Sequence, residues 1–464
     1  MSETQLRHMS QSDAFTWYME RDPLLRSTAI VVMMFDRAPD HARVVARLDR
    51  ASRIVPGLRH CLVEPPWRVA TPVWTVDPDF DLSWHVRRIA VAAPATLASV
   101  LDFARTEGMG SFDVARPLWT WTTVEGLEGG RAAGVLKIHH SLTDGIGGVE
   151  LANQLMDFER DAPDPQDNPN APIAHPLGSA GLLLDGMRFQ GLRLGRAARD
   201  AVAGAPRRTA RVLRRPVAVA NDVWSTAGSI YRTVRPITDT RSTVMTRRRL
   251  TWHYAVFDLP LDDLKRAGKA AGGSLNDAFL AGIACGLERY HESYGAKPES
   301  LRVTMPISVR VASDPPGGNR ITLMRFDVPT APCTAVERMH LIHARADASR
   351  REPAIPLTNT IAEVLNLLPT SVVGGMLKHV DFLASNVPGL DVPFYLGGAQ
   401  VLQIYPFGPT IGAALNVTLI SYGATCHLGV NCDTGAVLDP DRLVESLHEG
   451  FDDVLAAGRD PATR

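Results

Sequence analysis

The sequence predicts an α/β protein of the mixed (α+β) kind, with two halves that each contain a mixed sheet and flanking helices. The 464 residues are enough for two or three domains. Strand-like and helix-like patterns occur before residue 160 and return after residue 249, and a polar and then basic stretch separates them. We therefore divide the chain into an N-terminal domain (1–160), a long crossover linker (161–248) and a C-terminal domain (249–464).

The N-terminal region contains two predicted strands. Leu82, Trp84 and Val86 alternate with polar residues, as expected for a half-buried strand. The apolar run at 135–138 predicts a second strand, which leads directly into His139. A helix is then predicted to begin at an N-cap, Asp144. The apolar positions expected on that helix are Val149, Leu151, Leu155 and Phe158.

The linker begins with a segment rich in Pro, Asp and Asn at 161–170, which is typical of an exposed loop. A basic stretch follows from Arg188 to Arg215, with Asp200 as its only acidic residue. Leu and Val residues are interleaved with the arginines. Two interpretations remain open: an Arg-rich helix lying on an anionic membrane or lipid-droplet surface, or a solvated crossover helix between the domains.

The C-terminal region shows clearer patterns. Strict alternation at 301–309 predicts a strand, and residues 415–421 and 426–432 predict an antiparallel hairpin with its turn at 422–424. Ser274 and Asp277 have the spacing of a capping box at a helix start. An amphipathic helix is predicted from Pro440. The apolar face of the helix from Pro440 consists of Leu443, Val444, Leu447, Phe451 and Leu455. The apolar face of the helix that begins at Ser274 consists of Leu280, Ile283 and Leu287.

Composition excludes some classes of protein. A formal net charge of -1 gives no reason to expect a nucleic-acid partner. The five cysteines are odd in number and lack C-x-x-C spacing, so we expect reduced thiols. The polar N-terminus is not a signal peptide, and no apolar stretch approaches the roughly 20 residues that span a bilayer. We expect a cytoplasmic protein, peripheral at the inner membrane or at lipid droplets if the basic stretch binds a lipid surface.

His139 and His140 are the main candidates for chemistry. Adjacent residues at a strand end point to opposite sides, whereas two histidines that share a metal usually stand at i and i+4 on a helix. We therefore expect no metal site. A general base fits better, because an imidazole pKa near neutrality suits proton removal. Gly145 would let the next loop turn sharply beside a substrate. The residues alone also allow a packing histidine at 140, with Asp144 as a simple N-cap.

Several segments resemble motifs of known acyltransferases. The run His139-His140-Ser141-Leu142-Thr143-Asp144-Gly145 is similar to the HHxxxDG signature of the superfamily of chloramphenicol acetyltransferase, carnitine and plant acyltransferases and peptide-synthetase condensation domains. Other segments resemble the bacterial wax ester synthase/diacylglycerol acyltransferase family, from end to end of the chain. They are Ser12-Asp13-Ala14-Phe15, Pro117-Leu118-Trp119, Asn276-Asp277, Ser385-Asn386-Val387-Pro388-Gly389 (with Leu390 where the family has Pro), Gly408-Pro409 with Gly412, Leu415-Asn416 and Ser421-Tyr422.

This resemblance implies a fold and an activity. The fold would be two chloramphenicol-acetyltransferase-like domains with the active site between them. The activity would be transfer of a long-chain acyl group from acyl-CoA to diacylglycerol or a long-chain alcohol, with acyl-CoA as substrate and no cofactor. His140 would be the general base, His139 would pack or orient, and Asp144 with Gly145 would shape the loop. The predicted substrate-binding residues are Trp119, Asn276, Ser385, Asn386 and Asn416.

Alternatives remain open for these auxiliary residues. Trp119 fits a core aromatic after a turn, and Asn386 fits a tight turn that could also line the acyl channel. Asn416 needs a hydrogen-bond partner if it is buried, or could donate to the reacting carbonyl. Two rival functions also remain: a polyketide-ester or carrier-protein-dependent acyltransferase of the same superfamily, and a catalytically silent lipid-binding or droplet-coating protein of the same fold.

Overall fold

The computed structural model describes residues 7–142, 152, 154–163, 169–175, 178–214, 224–226, 228–231, 237–308 and 321–459. Its strands are β1 (Arg7–His8), β2 (Thr28–Phe35), β3 (His60–Val63), β4 (Val73–Val76), β5 (Val86–Ala90), β6 (Trp119–Glu125), β7 (Ala132–His139), β8 (Trp252–Pro260), β9 (Ser300–Ser308), β10 (Ile321–Pro329), β11 (Phe382–Leu390), β12 (Tyr395–Leu396), β13 (Ala399–Phe407), β14 (Leu415–Tyr422) and β15 (Thr425–Asp433). Its helices are α1 (Gln11–Met19), α2 (His41–Ile54), α3 (Leu82–His85), α4 (Leu97–Met109), α5 (Ser179–Arg214), α6 (Leu261–Ala270), α7 (Leu275–Glu292), α8 (Ala335–Arg350), α9 (Thr358–Leu365), α10 (Thr370–Leu377) and α11 (Pro440–Ala457). The predicted α/β class is confirmed.

The N-terminal sheet has the strand order β12-β13-β2-β7-β6-β5. All pairs in it are antiparallel except β5 with β6, which are parallel. Strand β7, which contains the predicted 135–138 strand, lies inside this sheet and is buried along its whole length. Helix α2 contributes to the core on one face and α4 to the core on the other. This sheet carries His139 at the end of β7.

The C-terminal sheet has the order β10-β9-β11-β14-β15-β8, and β11 is parallel to both of its neighbours. The predicted alternation at 301–305 holds: Leu301, Val303 and Met305 lie in the core formed with α7, α8 and α11. The predicted hairpin is present as β14 and β15, and Gly423 adopts the left-handed φ of 56° that its turn requires. The predicted helix from Pro440 is α11.

Strand β13 joins the two halves. It belongs by sequence to the predicted 249–464 domain, yet it pairs with β2 in the N-terminal sheet. Its end reaches the C-terminal sheet, where a Cβ on Gly429 of β15 would lie 2.0 Å from the carbonyl oxygen of Pro406. Strands β12 and β13 thus complete the N-terminal sheet although they lie within the predicted 249–464 domain, and the domain division stays a prediction.

Two local predictions were wrong. Residues 82–85 form the short helix α3, and the strand begins only at Val86. The reason is a local cap: the Asp81 carboxylate accepts the backbone N–H of Ser83 at 2.9 Å and so begins a helical turn. Phe158 is not part of a buried stripe, since it follows the helical residues and is 55% exposed, whereas Leu155 is buried as predicted.

The described part of the linker includes one long helix, α5. Before it, residues 161–163 and 169–170 are irregular and run beside α2, where Arg43 and Arg47 donate to the carbonyl oxygens of Ala162 and Pro163. Helix α5 contacts the N-terminal half through His8, whose ring stacks on Phe189. Among the described residues, no helix has the length and apolar character needed to cross a bilayer.

Candidate active site

The predicted catalytic run begins where β7 ends. His139 is the last residue of the strand, and its backbone N–H donates to the carbonyl oxygen of Leu118 at 3.0 Å. His140 follows, and its N–H donates to the carbonyl oxygen of Ser27 at 2.9 Å. Leu142 N–H then donates to the His139 carbonyl oxygen at 3.0 Å and closes a turn. The backbone of His140 is thus held on both sides by strand β7 and by the residue before β2.

His139 is fully buried, and both of its ring nitrogens are in hydrogen bonds. The backbone N–H of Ser141 lies 3.1 Å from Nδ1 and can only donate, so Nδ1 accepts and the ring proton is on Nε2. Nε2 lies 3.0 Å from a carboxylate oxygen of Glu20 and donates to it. The rings of Trp17 and Phe112 meet the imidazole at steep angles. These contacts agree with the predicted packing or orienting role of His139.

His140 is half-buried and points the other way. Side chains alternate along a strand, so His140 continues the row of Leu136 and Ile138. That row packs in a core that also receives Ile420 and Tyr422 from the C-terminal sheet. The side chain of His140 therefore extends from the end of β7 on the face of the sheet that packs against Ile420 and Tyr422 of β14.

The other two predicted catalytic residues, Asp144 and Gly145, lie outside the described residues. The predicted N-cap role of Asp144 and the predicted turn at Gly145 stay predictions.

Ser385 and Asn416 lie on the inner face of the C-terminal sheet. Their neighbours Ala384, Leu415 and Val417 are in the helix-covered core, so by alternation Ser385 and Asn416 face the opposite side. Asn416 is buried, and its amide Nδ2 donates to the carbonyl oxygen of Pro409 at 2.7 Å. Its Oδ1 accepts the hydroxyl of Thr418 at 2.9 Å. These bonds favour a role in holding the loop after β13 over donation to a reacting carbonyl.

Asn276 and Asn386 are brought together. The Nδ2 of Asn386, on β11, donates to Oδ1 of Asn276, in the first turn of α7, at 2.7 Å. Both side chains are half-buried. By alternation Asn386 shares the helix-covered face with Phe382 and Ala384, so the pair lies on the other side of the sheet from Ser385. The four predicted substrate-binding residues of the C-terminal half therefore form two groups, Asn276 with Asn386 and Ser385 with Asn416.

Asp277 has the structural role that its spacing predicts. Its Oδ2 accepts the backbone N–H of Ser274 at 2.7 Å and the hydroxyl of Ser274 at 2.8 Å, which caps α7. His343 of α8 adds a contact from Nδ1 at 3.0 Å. The predicted apolar residues Leu280, Ile283 and Leu287 of α7 are all buried.

Trp119 is a core residue. It is 1% exposed, its indole N–H donates to the carbonyl oxygen of Leu58 at 2.8 Å, and His85 stacks on it at 4.6 Å. This environment favours the packing interpretation over substrate binding. Trp119 also borders a polar cavity of about 220 Å³ on the His139 side of β7, where burial lowers the pKa of the Lys137 amine.

Within the described residues, no group of three or more His, Cys, Asp or Glu side chains is placed to hold a metal ion. At the end of β7 the structure places the half-buried imidazole of His140, whose backbone N–H is held by Ser27. Glu20, which contacts His139, was not found from the sequence, because it lies 119 positions away in the chain and carries no motif of its own.

A family model described as the wax ester synthase/diacylglycerol acyltransferase catalytic domain matches residues 9–279, and the C-terminal domain of the same family (WS/DGAT) matches residues 317–454. The chain belongs to the WS/DGAT family. The predictions of this family and of an acyltransferase are thereby confirmed.

Relatives match most of the chain. A putative diacylglycerol O-acyltransferase of Mycobacterium tuberculosis is 39% identical over 448 residues, covering 96% of this chain and 91% of that protein. Another protein of that description and organism is 28% identical and covers 99% of both chains.

Solved structures agree on the fold. The wax ester synthase/diacylglycerol acyltransferase from Marinobacter aquaeolei VT8 superposes with a TM-score of 0.64 at 21% identity, covering 97% of this chain and 100% of that one. The first condensation domain of the CDA synthetase also gives 0.64, at 15% identity, covering 99% and 97%. The predicted two-domain fold of the chloramphenicol acetyltransferase type is confirmed.

Proposed function

We propose that this WS/DGAT protein transfers a long-chain fatty acyl group from acyl-CoA to the hydroxyl of diacylglycerol or of a long-chain alcohol, with His140 as general base. The observation that carries the proposal is the half-buried imidazole of His140 just after β7, on the face of the sheet that packs against Ile420 and Tyr422 of the C-terminal half. The names of the M. tuberculosis and Marinobacter proteins support the substrate classes.

The proposed reaction needs no covalent intermediate on the protein. The imidazole of His140 takes the hydroxyl proton while the alcohol oxygen bonds to the thioester carbon. The tetrahedral intermediate then expels the CoA sulfur, which receives the proton from the imidazolium, and the ester remains. A buried junction favours this step over hydrolysis because it excludes water. His139 holds the turn and takes no proton from the substrate.

The carrier-protein-dependent and catalytically silent alternatives are less well supported. Condensation domains have the same fold, but an identity of 15% supports only the fold and not a shared substrate. The family models and the 39% identical relative favour the lipid reaction. A silent protein would not need the half-buried histidine after β7.

The direct test is an activity assay. Purified protein is incubated with radiolabelled palmitoyl-CoA and either dioleoylglycerol or hexadecanol, and lipid products are separated. We expect labelled triacylglycerol or wax ester. Absence of both products with lipid still bound would favour the silent lipid-binding alternative.

His140→Ala tests the base. Loss of general base catalysis should lower the rate by roughly 10²–10⁴-fold. A suitable control is His448→Ala, since His448 is exposed on α11 and should leave the rate unchanged. Activity of His140→Ala within a few-fold of the wild type would exclude His140 as the base.

We also propose that α5 rests on an anionic lipid surface. The inward side of α5 packs against the rest of the protein: Leu182 is buried, and Phe189 stacks on His8. The opposite, outward side is exposed to solvent and is nevertheless apolar. Leu184, Met187 and Leu194 fall within about 80° of one another on a helical wheel and are 59–67% exposed. The solvated-helix interpretation predicts polar residues at these positions.

Basic and further apolar residues border this surface. The exposed side chains of Arg188 and Arg199 flank the apolar side of α5. Arg193 forms an ion pair with Glu363 of α9, which brings α5 beside the exposed Leu367 that follows α9. Apolar residues flanked by arginines are typical of helices at the interface of anionic lipid.

A further inference from the structure

We infer that Glu20 is a positioning residue that holds His140 in place for proton transfer, an inference that rests on the proposed role of His140. Glu20 caps the C-terminal end of α1, and its side chain is 17% exposed. One carboxylate oxygen, Oε1, accepts from both His139 Nε2 and the backbone N–H of Ser27. The carboxylate thereby connects two segments that converge on His140.

The first connection runs through the neighbours of His140 in sequence. Glu20 accepts the His139 Nε2 proton at 3.0 Å. This bond sets the tautomer in which His139 Nδ1 accepts the backbone N–H of Ser141 at 3.1 Å. The Ser141 hydroxyl lies 2.7 Å from the same nitrogen. The residues on both sides of His140 are therefore tied to one another through the imidazole that Glu20 orients.

The second connection reaches the backbone of His140. Ser27 uses its N–H for Glu20 and its carbonyl oxygen for the N–H of His140, at 2.9 Å. Movement of the carboxylate would therefore shift Ser27 and the amide of His140 together. The base is placed by two short chains of hydrogen bonds that begin at the same oxygen atom.

Packing makes this arrangement stiff. Trp17 and Phe112 meet the His139 ring at centroid distances of 5.8 and 6.0 Å, with interplanar angles of 78° and 79°. The ring is buried, so a lost Glu20 contact leaves a buried N–H without its acceptor. The imidazole or the turn must then shift to find another partner. A displacement of about 1 Å at a reacting group can lower a rate by as much as roughly 10²-fold.

Two conservative variants of Glu20 distinguish the effect of side-chain length from the effect of charge. Glu20→Gln keeps an acceptor oxygen at the same distance from α1 and removes the charge, whereas Glu20→Asp keeps the charge and shortens the side chain. If position is what matters, Glu20→Gln should stay within about threefold of the wild-type kcat. Glu20→Asp should lose about tenfold or more in kcat. KM for acyl-CoA should change little, because the Glu20 carboxylate is bound to His139 and Ser27 and acts only through them.

The pH profile provides a second readout. Glu20→Asp should lower kcat at every pH without moving the acid side of its pH profile, because the base itself is unchanged. Activities are measured at least about 10 °C below the melting temperature of each variant, so that folded protein is compared with folded protein.

Glu64→Gln is the matched control. The Glu64 carboxylate also binds α1, accepting the indole N–H of Trp17 at 3.0 Å, but it does not contact residues 139–141. We expect Glu64→Gln to keep the wild-type kcat. Equal kcat values for Glu20→Asp and Glu20→Gln, or a loss confined to KM, would overturn the inference. If His140→Ala is also active, the proposed function fails; if His140→Ala is inactive, only the inference about Glu20 fails.

Discussion

His139 and His140 carry the same imidazole, yet the structure gives them different surroundings. His139 is buried with both nitrogens in hydrogen bonds, so it has no lone pair for a substrate proton. His140 is half-buried and lies on the face of the sheet that packs against Ile420 and Tyr422. Alternation along a strand predicts that the two rings point to opposite sides. It does not predict the surroundings of each ring, because these depend on Glu20 beside His139 and on Tyr422 on the His140 face, which are distant in sequence.

The Asn276–Asn386 pair permits a prediction at the level of single residues. Asn386→Ala removes the donor to Asn276 Oδ1 and so frees the first turn of α7 from β11. If the pair helps to bind substrate, the loss of one hydrogen bond should lower kcat/KM by about tenfold. The measurement is kcat/KM with palmitoyl-CoA as the varied substrate.

A matched control for this variant is Asn366→Ala. Asn366 also donates from Nδ2, at 3.0 Å to the carbonyl oxygen of Gln11, but it is on neither β11 nor α7. We expect Asn366→Ala to affect the melting temperature and leave kcat/KM unchanged. If Asn386→Ala retains more than about half of the wild-type kcat/KM, the pair is purely structural.

Among elements, two with strong local sequence signals were predicted correctly. The β14–β15 hairpin has alternating residues around a Gly turn, and α7 begins at a capping box. Helix α3 was missed because a single Asp81 side chain decides between helix and strand over four residues. The pairing of β13 with β2 could not be predicted, since no local pattern encodes a contact between residues more than 350 positions apart.

Helix α5 leads to a prediction at the level of elements. Leu184→Gln, Met187→Gln and Leu194→Gln together remove the apolar outward side without touching the inward contacts of Phe189. Binding to liposomes that contain anionic lipid should weaken by about tenfold or more, since each buried CH₂ contributes about 0.8 kcal/mol. Co-sedimentation measures the bound fraction.

The control for α5 replaces exposed leucines elsewhere. Leu323 on β10 and Leu341 on α8 are 48% and 45% exposed and lie outside the proposed lipid surface. Leu323→Gln with Leu341→Gln should leave co-sedimentation unchanged. Unchanged binding of the triple variant would exclude the outward side of α5 as the lipid contact.

For the whole molecule, strand β13 connects the two six-stranded sheets, because it is paired within the N-terminal sheet and packs against β15 of the C-terminal sheet. Strand β13 supplies Val401 and Ile404 to one core of the N-terminal sheet and Tyr405 and Phe407 to the other. Strand β8 adds to the second of these cores from the C-terminal side. The halves therefore bury each other's apolar surface, and neither core is complete within the predicted boundaries.

This interdependence predicts that the halves fold together. A fragment of residues 1–248 lacks β12 and β13, so β2, paired then only with β7, becomes an edge strand whose apolar surface loses the cover of β13. We expect no cooperative thermal unfolding for this fragment, whereas the full chain should unfold in a single calorimetric transition. A full chain cleaved at a protease site placed within 164–168 should stay associated on size exclusion, because all sheet pairings of the described strands survive the cut. Two separate transitions, or dissociation of the cleaved chain, would show instead that each half is stable alone and that β13 adds only a peripheral contact.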